Sequence, residues 1–214
     1  ARTIDQIESY GVNPAFWSPY RGKGYGPDKS DMGPGSYGAA FHDFPAPTLG
    51  QDAVLNQFAQ VLHQLREYPN MRTHLVTPWI PYLTARGPNR KVIVAPCHGW
   101  LHVRILGRKL HMRMDQRSAD MPIGVPHNMI QYAALLLMVC QVVGYKPGMY
   151  IHSFADAHIY ENQVEAVREL IERPARPFPR LHVRPRLSLF SYRIEDFEID
   201  EYSPHPGMKV PYAP

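Results

Sequence analysis

The sequence predicts an α+β fold, a largely antiparallel sheet packed with a buried central helix. Three observations carry that prediction. Residues 129–143 are apolar almost all round, the pattern of a helix covered on every side. Two other stretches, 51–67 and 164–171, repeat apolar residues at helical spacing. Short strand-like pieces lie between and after them, one pair joined by a turn that suits an antiparallel hairpin. The 214 residues are 44% hydrophobic and 20% charged. That balance supports a sizeable core without staples, and one domain over 1–214 is expected.

Residues 1–50 read as an irregular lead segment, because GVNPAFWSPYRGKGYGPDKSDMGPGSYG is dense in Gly, Pro, Tyr and Ser. So long a stretch without regular structure is either disordered or functional. Phe16, Trp17, Tyr20, Tyr25 and Tyr37 argue against disorder. In 51–67, Val54, Leu55, Phe58, Val61, Leu62 and Leu65 recur at helical spacing, and Pro69 ends the pattern. Strand-like segments follow at 74–79 and 91–95. Segments 100–106 and 109–114 flank a turn at Gly107 and read as a hairpin. Gly144 stops the central helix. Val164, Val167, Leu170 and Ile171 mark another helix, ended before Pro174. The tail returns to strands at 180–183, 186–192 and 196–199.

Composition excludes more than it selects. Cys97 and Cys140 cannot make a disulfide framework, and no CxxC or Cys/His cluster points to zinc. A reducing, cytoplasmic setting is therefore expected. The opening ARTIDQIESYG lacks the basic start and apolar run of a signal peptide. The apolar stretch 132–143 is too short for a bilayer, so neither export nor a membrane span is expected. Net charge +4 and an isoelectric point near 9.1 suit an anionic ligand or a nucleic acid, and equally a solvated surface. The arginine clusters RILGRKLHMR and RPARPFPRLHVRPR carry no nucleic-acid signature, so charge alone decides little.

Chemistry is concentrated around Cys97, in APCHGW. A lone cysteine is usually a small buried hydrophobe, and Cys140 fits that description inside the apolar helix. Arginine and histidine are abundant after Cys97, and a cationic setting lowers a thiol's pKa. Further segments then occur in a recognisable order. DQRSADMPIGVPHN, DAHIYENQ and EDFEIDEYSPHPGMKVPYA resemble successive signatures of the thymidylate synthases, and APCH resembles that family's nucleophile segment. DMGPGSYG resembles its DLGPVYG-type loop with one extra residue.

The resemblance implies a fold of that family's α+β type and a reaction at carbon 5 of dUMP. Attack by a Cys97 thiolate at carbon 6 would make a transient enolate able to accept a one-carbon unit from methylenetetrahydrofolate. Arg117 and Ser118 are expected to hold the phosphate, with Arg117 also favouring the thiolate. Arg72, in NMRTHL, resembles an arginine that reaches the phosphate from a second subunit, so a homodimer is implied. Asn128 corresponds to the pyrimidine-reading asparagine, its amide complementary to a uracil edge. Gln116, His158 and Tyr160 complete the expected substrate contacts, His158 and Tyr160 on the sugar hydroxyl. Spaced two apart, these last two share a face only in extended backbone, which places them at a strand end or loop before a helix. Tyr37 resembles a tyrosine that assists proton removal from carbon 5 through water. Asp120, Gly124, Trp17 and Ala213 are expected against the folate.

The pattern also departs from the family. The chain reads Arg72-Thr73 where two arginines are usual, and Pro214 replaces a small apolar terminus. Asp115, His127 and Glu201 replace a tyrosine, a phenylalanine and a glycine. The family's chain normally starts well before the region matching Ala1, in a section that supplies a phosphate-loop arginine, a catalytic glutamate and strands. A second polypeptide, a second copy or the lead segment is expected to cover that face. Three functions follow: methylation of dUMP, its hydroxymethylation, or a degenerate nucleotide-binding subunit of a larger assembly.

Overall fold

The structure, a computed structural model, describes residues 20–212. The lead segment is less irregular than expected, because Tyr37–His42 forms a short helix (α1). Phe44–Pro45 (β1) then pairs antiparallel with Val54–Leu55 (β2). That pairing takes Val54 and Leu55 out of the expected helix, which starts at Gln57 and ends at Glu67 (α2). The boundary is set by Asn56, whose side-chain oxygen accepts the Ala59 N–H at 3.0 Å. Val61, Leu62 and Leu65 of α2 are buried.

Segment 74–79 contributes only Leu75–Val76 (β3), followed by the single turn Pro81–Thr84 (α3). No strand forms over 91–95. Its backbone groups bond to two separate segments instead: Lys91 N–H to the Leu83 carbonyl of α3 and Ile93 N–H to the Met32 carbonyl. The expected hairpin is present as His98–Leu106 (β4) and Lys109–Gln116 (β5). Gly107 and Arg108, at φ 55° and 64°, make the left-handed pair that a two-residue hairpin turn requires. Ala119–Asp120 (β6) precedes the central helix.

That helix, Gly124–Val143 (α4), begins earlier than its apolar run because Pro126 sits in the first turn, where no N–H partner is needed. Lys146–Phe154 (β7) and Ala157–His158 (β8) follow, then Val164–Glu172 (α5). In the tail Arg180–Val183 (β9) pairs antiparallel with Phe197–Asp200 (β10). The strand expected at 186–192 is instead irregular, with a short 3-10 turn at Leu189–Ser191 capped by the Ser188 side chain. Arg186 clamps the buried Asp196 through paired hydrogen bonds of 3.0 Å and holds its carboxyl below the usual range.

The main sheet has the order β3-β4-β5-β7. It is mixed: β3, β4 and β5 are antiparallel, whereas β7 runs parallel to β5. The parallel step follows from α4, long enough to carry the chain back to the same sheet end. One sheet face carries Leu101, Val103, Leu110, Met112 and Met114 into a core shared with α2 and with Tyr132, Leu136, Val139 and Cys140 of α4. Each such side chain contributes roughly 1.5–3 kcal/mol when fully buried.

Two expectations about α4 need correction. Only one side of it is buried among the described residues; Met129 and Ile130 are 43% and 68% exposed. At 20 residues it is also long and apolar enough to cross a membrane by length and composition, contrary to the estimate from 132–143. Its inner side packs in the core, with Tyr132 and Leu136 against the sheet.

Candidate active site around Cys97

Cys97 is half-buried at the end of the irregular segment that enters β4. Its position is fixed from two sides. The Cys97 N–H donates to the Tyr37 hydroxyl at 2.5 Å, and the His98 N–H donates to the same oxygen at 3.3 Å. The Cys97 carbonyl accepts the Arg117 N–H at 2.9 Å. Tyr37 is held in turn by α1, which buried Gln57 ties to Thr77, just after β3. Gln57 Nε2 donates to the Ala40 and Thr77 carbonyls at 2.6 and 2.7 Å, and its Oε1 accepts the Thr77 N–H. Burial, then the neighbouring Cys97, pushes the Tyr37 hydroxyl well above its ordinary range. A phenol in that state stays protonated and serves as a hydrogen-bonding group.

Arg117 follows β5 and turns back over Trp79, with its guanidinium carbon 5.3 Å from the ring centre. Its Nε donates to the Pro96 carbonyl at 2.9 Å. Cys97 and Arg117 therefore face one cavity of about 420 Å³, within the size range of small-molecule sites. Tyr20, Trp79, Arg86 and Arg90 complete its aromatic and cationic wall. Arg90 Nε is buried there without a hydrogen-bond partner, while its terminal nitrogen donates to the Ile93 carbonyl at 3.1 Å. Such a donor set suits a flat, anionic ligand.

A second cluster lies where β4, β5, α4 and β7 meet. Gln116 is 3% exposed, and its Nε2 donates to the Ser118 carbonyl at 2.8 Å and to Asn128 Oδ1 at 3.1 Å. His98 Nδ1 lies 2.6 Å from the Tyr132 hydroxyl. Burial drives the His98 pKa down to about 4, partly opposed by a hydrogen bond with Asn128. Asn128 thus sits on the first turns of α4 between Gln116 and His98.

The remaining expected residues are placed as follows. His158 ends β8 and Tyr160 follows it, as the spacing argument required; their rings meet edge to face at 4.9 Å. Asp120 ends β6, where its carboxylate accepts the Ile123 N–H at 3.3 Å and the Gln163 amide at 3.4 Å. Gly124 opens α4, in the turn that follows β6. Gln163 also donates to the Pro211 carbonyl at 3.1 Å, so the tail docks beside Asp120. Arg72 is exposed, apart from the cavity, and its carbonyl lies 3.0 Å from His102 Nε2. Ser118, Asn128, His158 and Tyr160 are not in the wall of the Cys97 cavity either. Trp17 and Ala213 lie outside the described residues.

Sequence reasoning missed Trp79, Arg86, Arg90, His98 and His152. Only His98, adjacent to Cys97, carried a positional signal. A family model for thymidylate synthase matches residues 3–214.

Proposed function

The chain belongs to the thymidylate synthase family, and from that premise we propose that it transfers a one-carbon unit to carbon 5 of dUMP through a Cys97 adduct, giving dTMP. The observation that carries this reading is the joint placement of Cys97 and Arg117 on one cationic, aromatic-walled cavity, with Tyr37 bonded to the Cys97 backbone.

In this reading the Cys97 sulfur attacks carbon 6, and the ring's electrons move to the 4-oxo position as an enolate. Arg117 exchanges its carbonyl partners for the phosphate, assisted by Ser118, and Arg72 approaches from a second copy of the chain. Asn128 reads the base, in a site that Gln116 shapes, and His158 and Tyr160 hold the sugar. Tyr37, kept protonated, orders the water that removes the carbon 5 proton. Methylenetetrahydrofolate supplies the one-carbon unit and the reducing hydride when bound. Asp120 fits it, because both of its present hydrogen bonds are long and leave lone pairs for the N–H donors of a pterin. Gly124, Trp17 and Ala213 are the other folate contacts in this proposal. Capture of the intermediate by water instead would give 5-hydroxymethyl-dUMP.

The test is covalent trapping. Incubation with 5-fluoro-dUMP and methylenetetrahydrofolate, followed by peptide mass spectrometry, should place the adduct on Cys97. An adduct on Cys140, or none, would overturn the proposal. Product analysis with dUMP then separates dTMP from its hydroxymethyl counterpart.

A further inference from the structure

Four side chains form a continuous hydrogen-bonded relay across β7, β5 and α4. The Tyr150 hydroxyl lies 2.8 Å from His152 Nδ1, and His152 Nε2 lies 2.8 Å from Gln116 Oε1. Gln116 Nε2 lies 3.1 Å from Asn128 Oδ1. Tyr150 and His152 are two apart on β7, so they share the face that looks onto the core and α4. The imidazole is clamped between rings. It stacks on Phe154 at 4.5 Å and meets Tyr150 edge to face at 5.6 Å.

The direction of every bond in the relay follows from one backbone carbonyl. Ser118 O can only accept, so the Gln116 atom at 2.8 Å from it is the amide nitrogen. Gln116 Oε1 is then the acceptor facing His152, whose Nε2 must carry the proton. His152 Nδ1 is left as an acceptor, and Tyr150 donates to it. Burial lowers the His152 pKa, which favours the neutral ring this arrangement needs. At the far end, the Gln116 nitrogen requires the oxygen of Asn128, and the Asn128 amide is oriented without any ligand.

We propose that Tyr150 and His152 are positioning residues that set which end of the Asn128 amide is offered to a bound base, and thereby select uracil over cytosine. Asn128 accepts through its oxygen, from Gln116 and from His98 in the hydrogen bond that raises the His98 pKa, which leaves its nitrogen to donate. A donor suits the 4-oxo group of uracil and opposes the 4-amino group of cytosine. This inference rests on the reading of the site as one for a pyrimidine nucleotide.

Two measurements on the full chain test it. Long-range proton–nitrogen NMR of His152, without ligand, should show the Nε2–H tautomer; the Nδ1–H tautomer would overturn the relay. Calorimetric titration with dUMP and dCMP then reads its consequence. His152→Phe keeps the ring stack but breaks both hydrogen bonds, and should lower the dUMP preference about tenfold. His152→Gln, whose amide nitrogen can occupy the Nε2 place, should restore most of it. Gln116→Glu removes the donor, lets the Asn128 amide reverse, and should move preference toward dCMP. An unchanged preference in a His152→Phe protein that melts normally would overturn the inference. Binding of neither nucleotide by the unaltered chain would overturn the pyrimidine reading and the selection built on it, while the tautomer still decides the relay.

Discussion

At the residue scale, two cysteines of one chain are separated by their surroundings. Cys140 is 2% exposed, and burial pushes its thiol up to about 11, the state of an inert core residue. Cys97 is half-buried beside Arg117 and a cavity. His98, next to it, has a testable consequence for stability. Its ordinary value is 6.5, and burial lowers it to about 4 in the fold, where Tyr132, the Tyr37 ring, Asn128 and His152 surround it. The unfolded chain therefore takes up a proton that the folded chain refuses. Stability is fully present above about 6.5 and falls as pH drops toward about 4, by up to about 3 kcal/mol. Urea midpoints measured from pH 7 to 4.5 should show that decline, and His98→Asn should flatten most of it. An identical slope in the variant would place the effect elsewhere.

At the element scale, α4 does two jobs with successive turns of one face, since Asn128, Tyr132, Leu136 and Cys140 are spaced four apart. Its N-terminal turns carry Asn128 to Gln116, and its later turns fill the core through Tyr132, Leu136, Val139 and Cys140. Leu136→Ala should cost about 2–5 kcal/mol, since the packed sheet and α2 cannot collapse into the space left. Ile130, 68% exposed, should tolerate alanine within about 0.5 kcal/mol. Chemical denaturation of both variants checks this. Equal costs would mean that the outer side of α4 is covered in solution.

At the scale of the whole molecule, the main sheet has one face on the core and one turned outward. The outward face carries Trp100, Met149 and Ile151, 49%, 62% and 43% exposed. It also carries Arg113 paired with Asp115, which in turn accepts from Trp100 Nε1. A surface with these apolar side chains, and with the Arg113–Asp115 pair already satisfied, is suited to burial against another chain. A homodimer through this face is our proposal, and it would bring the exposed Arg72 of each copy toward the other. Light scattering should report twice 24.5 kDa, and Ile151→Glu should shift the mass toward a single copy. A monomer in the unaltered chain would contradict it.

Much was legible in the residues before any coordinates. Hydrophobic spacing located α2, α4 and α5, because helical periodicity is local and strong. The hairpin at Gly107 was legible from its flanking strands, and the motif order around Cys97 pointed to the family that the match over 3–214 shows. Boundaries were less legible. The start of α2 depended on the Asn56 cap and on a strand pairing with β1. The expected strand at 91–95 gave way to hydrogen bonds with Leu83 and Met32, and that at 186–192 to a turn closed by Ser188. The cavity wall was least legible, since Trp79, Arg86 and Arg90 join Cys97 only through tertiary folding. The same holds for His152, which reaches Gln116 through the parallel pairing of β7 with β5. Local pattern determined the elements, and motif order determined the family. Which side chains face one another across those elements was decided by long-range packing, because a contact between distant positions leaves no periodic trace in the chain that carries it.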